Sequence, residues 1–263
     1  MTQTAWSRCK KARDRYRREI SKLLEHMPQL LALQQNLVNS REILGSGPAY
    51  PVETPIVYNS ALDELNAGSE IHLILVADNP GRREQIAENR RYLVGPSGKI
   101  ADKFFRDNPA LGIDFRKNVI ILNKTPIHTP RTIELKKLCT LGGTALETAL
   151  EKSQRLMARL LLEFHEALAC HNGRSKNGTG HAGTIPVWIC GYSEMKKNGV
   201  FAAYTDELKA IYGNTGLKES VFLYRHFSMN QFTIDLNRQA APGETLQQSL
   251  CRIGETYRKK FLW

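Results

Sequence analysis

Four short runs of apolar residues, separated by stretches with helical periodicity, constrain the fold of this chain more than any other feature. They occupy residues 71–77, 118–123, 185–190 and 220–225. A continuous apolar run of this length is typical of a strand that is buried on both faces. Strands that alternate with helices predict an α/β fold, with three layers (α/β/α) around a central four-stranded, mostly parallel sheet.

The periodic segments between the strands predict the helices of the two outer layers. Apolar residues recur at helical spacing over residues 97–106, 144–171, 200–212 and 243–261. Residues 172–184 are rich in Gly, Asn and Ser, which predicts a mobile loop.

The first 60 residues differ from the alternating pattern that follows them. Residues 5–38 have helical periodicity, and Pro28 is expected to break or kink the helix. Residues 45–60 are rich in Gly, Pro and Ser, which indicates a loop. We therefore expect residues 1–60 to form a basic N-terminal helical extension and loop, packed on a main α/β/α domain of residues 61–263.

The charge of the chain is unevenly distributed. Its 263 residues hold 37 Lys and Arg against 26 Asp and Glu, a formal net charge of +11. The excess lies in residues 1–22 (+6), 81–137 (+7) and 251–263 (+3). Such segments are typical of proteins that bind polyanions and equally of solvated helix surfaces. We expect the three segments to flank one face, which would then contact a phosphate backbone.

Cysteine usage and hydropathy exclude other classes of protein. The five cysteines are odd in number and show no CxxC spacing, which argues against a disulfide framework and for a reducing compartment. No apolar run reaches the roughly 18 residues that a membrane-spanning helix needs. The basic N-terminus is not followed by the apolar stretch of a secretory signal. We therefore expect an intracellular protein that does not bind membranes.

Polar residues follow the strands, where an open parallel sheet binds its ligands. After the first, second and fourth strands these are Asp78, Asn79, Pro80 and Gly81, then Asn123 and Lys124, then His226. A carboxylate can act as a general base, a side-chain amide can read the edge of a nucleobase, and a histidine can stabilise a developing anion. Taken singly, each is also an ordinary strand-exit turn or structural residue.

A glycine-containing stretch, Gly95-Pro96-Ser97-Gly98-Lys99, lies between the first and second strands and leads into the helix predicted over residues 97–106. Its glycines permit close approach of the backbone, and Ser97 can cap a helix whose N-terminus would receive a phosphate. The spacing is not that of a Walker A loop, so it does not indicate hydrolysis of nucleoside triphosphates. A capped helix start without a ligand explains the same residues.

In their order along the chain, these elements resemble the motifs of the uracil-DNA glycosylase superfamily, in the branch with an Asn-Pro-Gly first motif (the mismatch-specific or single-strand-selective type). The resemblance covers residues 70–235. The matching stretches are Ala77-Asp78-Asn79-Pro80-Gly81, Leu93-Val94-Gly95-Pro96-Ser97-Gly98-Lys99-Ile100, Val119-Ile120-Ile121-Leu122-Asn123 and His226-Phe227-Ser228-Met229.

The resemblance implies three catalytic residues. Asn79 matches the residue that positions or activates the attacking water, and Asp78 is its rival because an ionised carboxylate is the better base. His226 matches the histidine that stabilises the leaving base as an anion. No metal and no organic cofactor is implied.

The resemblance also implies residues that bind the base and the DNA. Asn123 would read the edge of the pyrimidine. Leu93 stands at the position of a stacking aromatic ring, and Tyr92 beside it would take over that role after a small shift of register. The DNA-binding residues would be Pro80, Gly81, Gly95, Ser97, Gly98, Lys99, Lys124, Ser228, Met229 and Asn230.

The implied function is that of a monofunctional DNA glycosylase that removes uracil or a related deaminated base in base excision repair. Its partner would be lesion-containing DNA, double- or single-stranded, and the protein would be a monomer in a bacterial-type cytoplasm or a nucleus. Ala77, Leu93 and Phe227 depart from the family pattern and leave the base open. Two alternatives remain: a non-catalytic nucleic-acid-binding protein on the same fold, and an enzyme that acts on a small phosphorylated metabolite.

Overall fold

The central sheet is parallel, as the apolar runs predict. A computed structural model describes residues 1–45, 47–169 and 184–263. Its strands are β1 (Leu73–Ala77), β2 (Val119–Asn123), β3 (Val187–Cys190) and β4 (Val221–Tyr224). They lie in the order β2-β1-β3-β4, each pair of neighbours is parallel, and every strand residue is buried.

Helices cover both faces of this sheet. Those of the described residues are α1 (Gln3–Glu25), α2 (Leu30–Ile43), α3 (Pro96–Asp107), α4 (Glu134–Ala169), α5 (Ala202–Tyr212), α6 (Gln231–Gln239) and α7 (Leu246–Phe261). Within these residues, no helix combines the length and the apolar character that crossing a membrane requires.

Strand residues alternate between two apolar clusters, which places one helical layer on each face. Ile74 and Val76 pack in a cluster with α1, α4 and α5. Leu73 and Leu75 pack on the other side with α3, α6 and α7. The predicted three-layer α/β/α arrangement around a four-stranded sheet is therefore confirmed.

The helices differ in part from the predictions. α4 consists of two helical segments that meet at a kink at Gly143, which has a non-helical φ of 62°. The predicted start at residue 144 matches the second segment, whereas the segment from Glu134 to the kink was not predicted. α2 ends at Ile43, beyond the predicted end at residue 38. α6 was not predicted, since it is only nine residues long. Pro28 does break the N-terminal helix, between α1 and α2. The predicted mobile loop 172–184 lies, apart from Thr184, outside the described residues.

The N-terminal helix α1 is built into one helical layer. It packs along α4 and buries a stripe of residues that includes Tyr16. The Tyr16 hydroxyl lies 2.8 Å from that of Tyr92, which donates in turn to the carbonyl oxygen of Val57 at 2.8 Å. On its outer side, Arg15 forms an ion pair with Glu163 of α4. Residues of α1 therefore contact the rest of the protein both in the apolar core and at the surface.

Candidate active site

A cleft of about 610 Å³ lies at the carboxyl ends of the strands. The chain passes from β1 to β2 on one side and returns to β3 on the other, so β1 and β3 flank the point where ligands bind in open parallel sheets. Of the residues predicted for the site, the structure brings together in this cleft Asp78, Asn79, Gly81, Leu93, Gly95, Ser97, His226 and Ser228.

Asp78 is held by a buried lysine. The Lys124 ammonium, with a side chain that is 0% exposed, donates to Asp78 Oδ1 at 2.6 Å and to the carbonyl oxygen of Cys190 at 2.5 Å. Gly191 leaves room for this carboxylate, because a Cβ there would lie 2.5 Å from Asp78 Oδ1. The prediction that Lys124 binds DNA is therefore wrong: its charge is turned inward to compensate Asp78.

The amide of Asn79 is hydrogen-bonded at both ends. Its Nδ2 donates to Thr129 Oγ1 at 3.0 Å and to the Thr129 carbonyl oxygen at 3.3 Å. Thr132 Oγ1 lies 3.0 Å from Asn79 Oδ1 and 3.3 Å from Asp78 Oδ2. The two threonines come from the segment after β2, and both line the cleft. They orient the amide of Asn79 relative to the cleft.

His226 presents a protonated Nε2 when its ring is neutral. The backbone N–H of Ser228 donates to His226 Nδ1 at 3.0 Å, so the single ring proton of the neutral form is carried by Nε2. Burial lowers the pKa of His226; the nearby charge of Asp78 opposes this shift and that of Lys124 adds to it. The neutral ring is therefore the main form at pH 7, a hydrogen-bond donor without a charge.

The loop after His226 ends in an exposed tip. Phe227 is buried and its ring stacks on Phe232 of α6, with ring centroids 4.3 Å apart. This contact anchors the loop where the resembled family has a proline. Met229 is 80% exposed and, like Asn230, has a positive φ, 51° and 55° respectively. The two residues project beyond the cleft rather than lining it.

Tyr92 does not reach the cleft. Its ring is fully buried in the core and its hydroxyl is bonded to Val57 and Tyr16, so the prediction that it stacks on a base is wrong. Leu93 lines the cleft instead and adopts φ 53°. The chain turns between these adjacent residues, and their side chains point to different environments.

Gly98 also has another role than the predicted one. A Cβ on Gly98 would lie 1.5 Å from the carbonyl oxygen of Leu93, so this glycine serves the packing of α3 against the preceding loop and not a phosphate. Lys99 is exposed on α3, outside the residues that line the cleft, and its contact with DNA stays a prediction. Pro80 is buried beneath the turn, and its carbonyl oxygen accepts from His128. Gly95 and Ser97 remain at the cleft, at the start of α3.

The buried carboxylate of Glu84, which the sequence analysis missed, connects the turn after β1 with the loop before α3. Glu84 accepts hydrogen bonds from the backbone N–H groups of Gly81 and Leu93, the latter at 2.7 Å. Burial raises its pKa, against the opposing effect of these N–H groups. Arg116 donates to the carbonyl oxygen of Leu93 at 2.7 Å and so holds the following peptide group of the same residue. The only sequence signal was an acidic residue within a basic stretch.

Asn123 lies at the end of β2, beside the cleft. It pairs with Ala77 in the sheet, and Ala77 lines the cleft. Asn123 is 2% exposed, and its Nδ2 has no hydrogen-bond partner among the described residues. A buried amide donor without a partner is costly. Asn123 is not among the residues that line the cleft, so its contact with a base stays a prediction.

The segment before the sheet supplies one wall of the cleft. Arg41 and Tyr50 line it, and the guanidinium of Arg82 lies 4.7 Å from the centre of the Tyr50 ring. The Tyr50 hydroxyl donates to His128 Nε2 at 3.1 Å, and His128 Nδ1 donates to the carbonyl oxygen of Pro80 at 2.8 Å. Sequence reasoning missed this wall, because residues 45–60 carry no motif.

The terminal basic segments do not contribute to the cleft. No residue of α1 or of α7 lines it, and the two helices pack on opposite faces of the sheet. The cationic residues that do line it are Arg41, Arg82, Arg83 and Arg131. Residues 1–22 and 251–263 thus supply none of the residues that line the cleft, and their place beside it stays a prediction, whereas the basic segment 81–137 supplies three of these arginines.

Comparison with known proteins assigns the chain to no family: no protein-family model matches it, and no curated protein matches it significantly.

Proposed function

We propose that this protein is a monofunctional DNA glycosylase that hydrolyses the N-glycosidic bond of uracil or a related deaminated base flipped out of DNA. The observation that carries the proposal is one cleft with a fixed amide, Asn79, after β1 and a neutral imidazole, His226, after β4. The buried donor of Asn123 ends the strand beside β1, at the same edge of the sheet.

The chemistry that these groups support is cleavage with the base as an anionic leaving group. As the bond between C1′ of the sugar and the base nitrogen breaks, its electron pair goes to the base. The Nε2–H of His226 donates to that charge, and such a donor contributes about 3 kcal/mol to the transition state. The oxygen of a water held by Asn79 Oδ1 then bonds to C1′, and its proton goes to the departed base.

Asn79 rather than Asp78 holds the water in this proposal. Asp78 Oδ1 already accepts from the Lys124 ammonium, which ties this carboxylate into an ion pair. The Asn79 amide oxygen has a single donor among these contacts, so it keeps a lone pair for a water. A water needs little activation if bond breaking runs ahead of its attack.

The rim of the cleft suits a nucleic-acid backbone. Gly95 caps α3 without a side-chain hydrogen bond, and the first turn holds no acidic residue, so its N–H groups favour a phosphate. Arg82 and Arg83 are exposed beside it, and their positive charge adds a salt-dependent attraction. Met229, at the exposed tip, is an apolar side chain suited to enter a base stack.

The test is release of a base from DNA. Labelled oligonucleotides that carry uracil, hypoxanthine or xanthine, single-stranded and paired, are incubated with the protein, and abasic sites are cleaved with alkali. We expect scission by the wild type, at least about 100-fold slower scission by His226→Ala, and slower scission by Asn79→Ala. His26→Ala, at the exposed end of α1 and outside the cleft, is the matched control and retains full activity.

A non-catalytic nucleic-acid-binding protein is the second candidate, and the burial of Tyr92 favours it. Its ring is in the core and Leu93 occupies the cleft, so no aromatic ring is offered at that position. Retarded DNA without scission on any lesion would favour this candidate. If the protein neither binds nor cleaves the DNA at moderate salt, both candidates are contradicted. An enzyme that acts on a small phosphorylated metabolite then remains.

A further inference from the structure

We propose that Thr132 is a positioning residue that fixes the amide oxygen of Asn79 towards the attacking water. The inference rests on the proposed function and deepens it. Thr132 Oγ1 is 3.0 Å from Asn79 Oδ1 and 3.3 Å from Asp78 Oδ2, and these three polar groups line the same cleft.

The orientation of the Asn79 amide is set first at its nitrogen. Thr129 Oγ1 donates to the carbonyl oxygen of Arg131 at 2.9 Å, so its lone pairs face Asn79. The carbonyl oxygen of Thr129 lies on the same side, 3.3 Å from Asn79 Nδ2. Both groups accept hydrogen bonds, so the NH₂ end of the amide must face Thr129 and the oxygen must face Thr132.

The single hydroxyl proton of Thr132 then has two acceptors to choose from. Asp78 carries the negative charge, but Lys124 neutralises it through a hydrogen bond of 2.6 Å to Oδ1. Asp78 is also 13% exposed, so solvent reaches its carboxylate. The proton is thereby left to Asn79 Oδ1, the nearer acceptor. Lys124 does not contact the water in this proposal; its effect on the reaction is indirect, through the charge of Asp78.

The functional consequence concerns the lone pairs of Asn79 Oδ1. One accepts from Thr132, and the other is directed to a water in the cleft. Without the hydroxyl, the amide is held only at its nitrogen and turns about its last side-chain torsion, so the water loses its fixed position. Misplacement of a reacting group on this scale lowers rates by about 10- to 100-fold.

The test uses Thr132→Val, which removes the hydroxyl and keeps the shape, and Thr132→Ser, which restores it. We expect kcat for base release to fall about 10- to 100-fold in Thr132→Val, with DNA affinity within about twofold, and to return to within about threefold of wild type in Thr132→Ser. Thr256→Val, on the exposed face of α7, is the matched control and leaves kcat unchanged.

A second readout does not depend on activity. The side-chain amide of Asn79 is followed by ¹⁵N relaxation, and its signals are assigned by their loss in Asn79→Asp. The order parameter of this amide is expected to fall in Thr132→Val and to stay unchanged in Thr132→Ser and Thr256→Val. An equally ordered amide in Thr132→Val, or an unchanged kcat in an active protein, overturns the proposal. A protein that releases no base but whose amide loosens in Thr132→Val refutes the glycosylase function and supports the positioning by Thr132.

Discussion

Removing one member of the buried Lys124–Asp78 pair is expected to destabilise the protein strongly. Lys124→Met keeps most of the side-chain volume but leaves the Asp78 carboxylate without its cation and the Cys190 carbonyl oxygen without its donor. Loss of one partner of a buried pair costs about 3–5 kcal/mol. Asp78→Asn is expected to cost more within that range, because Lys124 is 0% exposed while Asp78 is 13% exposed and reaches solvent.

The double variant separates the charge effect from the packing effect. With both charges removed, no uncompensated ion remains, and the loss reduces to the two hydrogen bonds that Lys124 donated, to the Cys190 carbonyl oxygen and to residue 78, about 2–4 kcal/mol in sum. The double variant is therefore expected to be more stable than additivity of the single variants predicts, by about 5 kcal/mol.

The assay is urea unfolding followed by circular dichroism, with the free energy of unfolding taken from each transition. Lys103→Met, which breaks an exposed i,i+4 pair with Asp107 on α3, is the control and shifts stability by less than about 0.5 kcal/mol. A loss below about 1 kcal/mol for Lys124→Met, or additive single variants, would refute the reasoning that the pair is buried and mutually dependent.

Two further predictions follow from the packing around the site. Burial lowers the pKa of His128 to about 4, so its contribution to stability is complete above the unfolded value of about 6.5 and is lost as the pH falls from there to about 4, by up to about 1.4 kcal/mol per pH unit. His128→Gln is expected to reduce the dependence of the unfolding free energy on pH, measured by urea unfolding at a series of pH values. An unchanged dependence would contradict the attribution of this effect to the lowered pKa of His128. Gly98→Ala is expected to lower Tm sharply or to prevent folding, because its Cβ would lie 1.5 Å from the Leu93 carbonyl oxygen. Gly95→Ala has open space around the new Cβ and is the control; equal Tm values would count against the close packing.

The sheet was predictable from sequence because its signal is local. Each strand is a continuous apolar run, and the predicted runs contain all four observed strands. The carboxyl ends of parallel strands meet at one edge, so the proximity of Asp78, Asn79 and His226 followed from the same inference. The predicted helix from residue 144 begins directly after the kink at Gly143, and the unpredicted part of α4 is the segment before that kink.

The inward or outward direction of single side chains was not predictable in the same way. Tyr92 and Leu93 are neighbours, and the positive φ of Leu93 is maintained by contacts from Glu84 and Arg116. A lysine is ordinarily a surface residue, and Lys124 is buried only because Asp78, 46 positions earlier, lies across from it. Such contacts are products of the tertiary fold and leave no periodic trace in the sequence.

The packing of α1 against α4 sets an order of events during synthesis. The apolar stripe of α1, which includes Tyr16, leaves the ribosome long before Phe164 of α4, its neighbour in the same core cluster. At ordinary translation rates the delay is on the order of 10 s. Throughout that time the nascent helix shows an unpaired apolar face next to dense positive charge. We expect the arginines and lysines of α1 to keep the growing chain soluble during this time, which requires no nucleic acid.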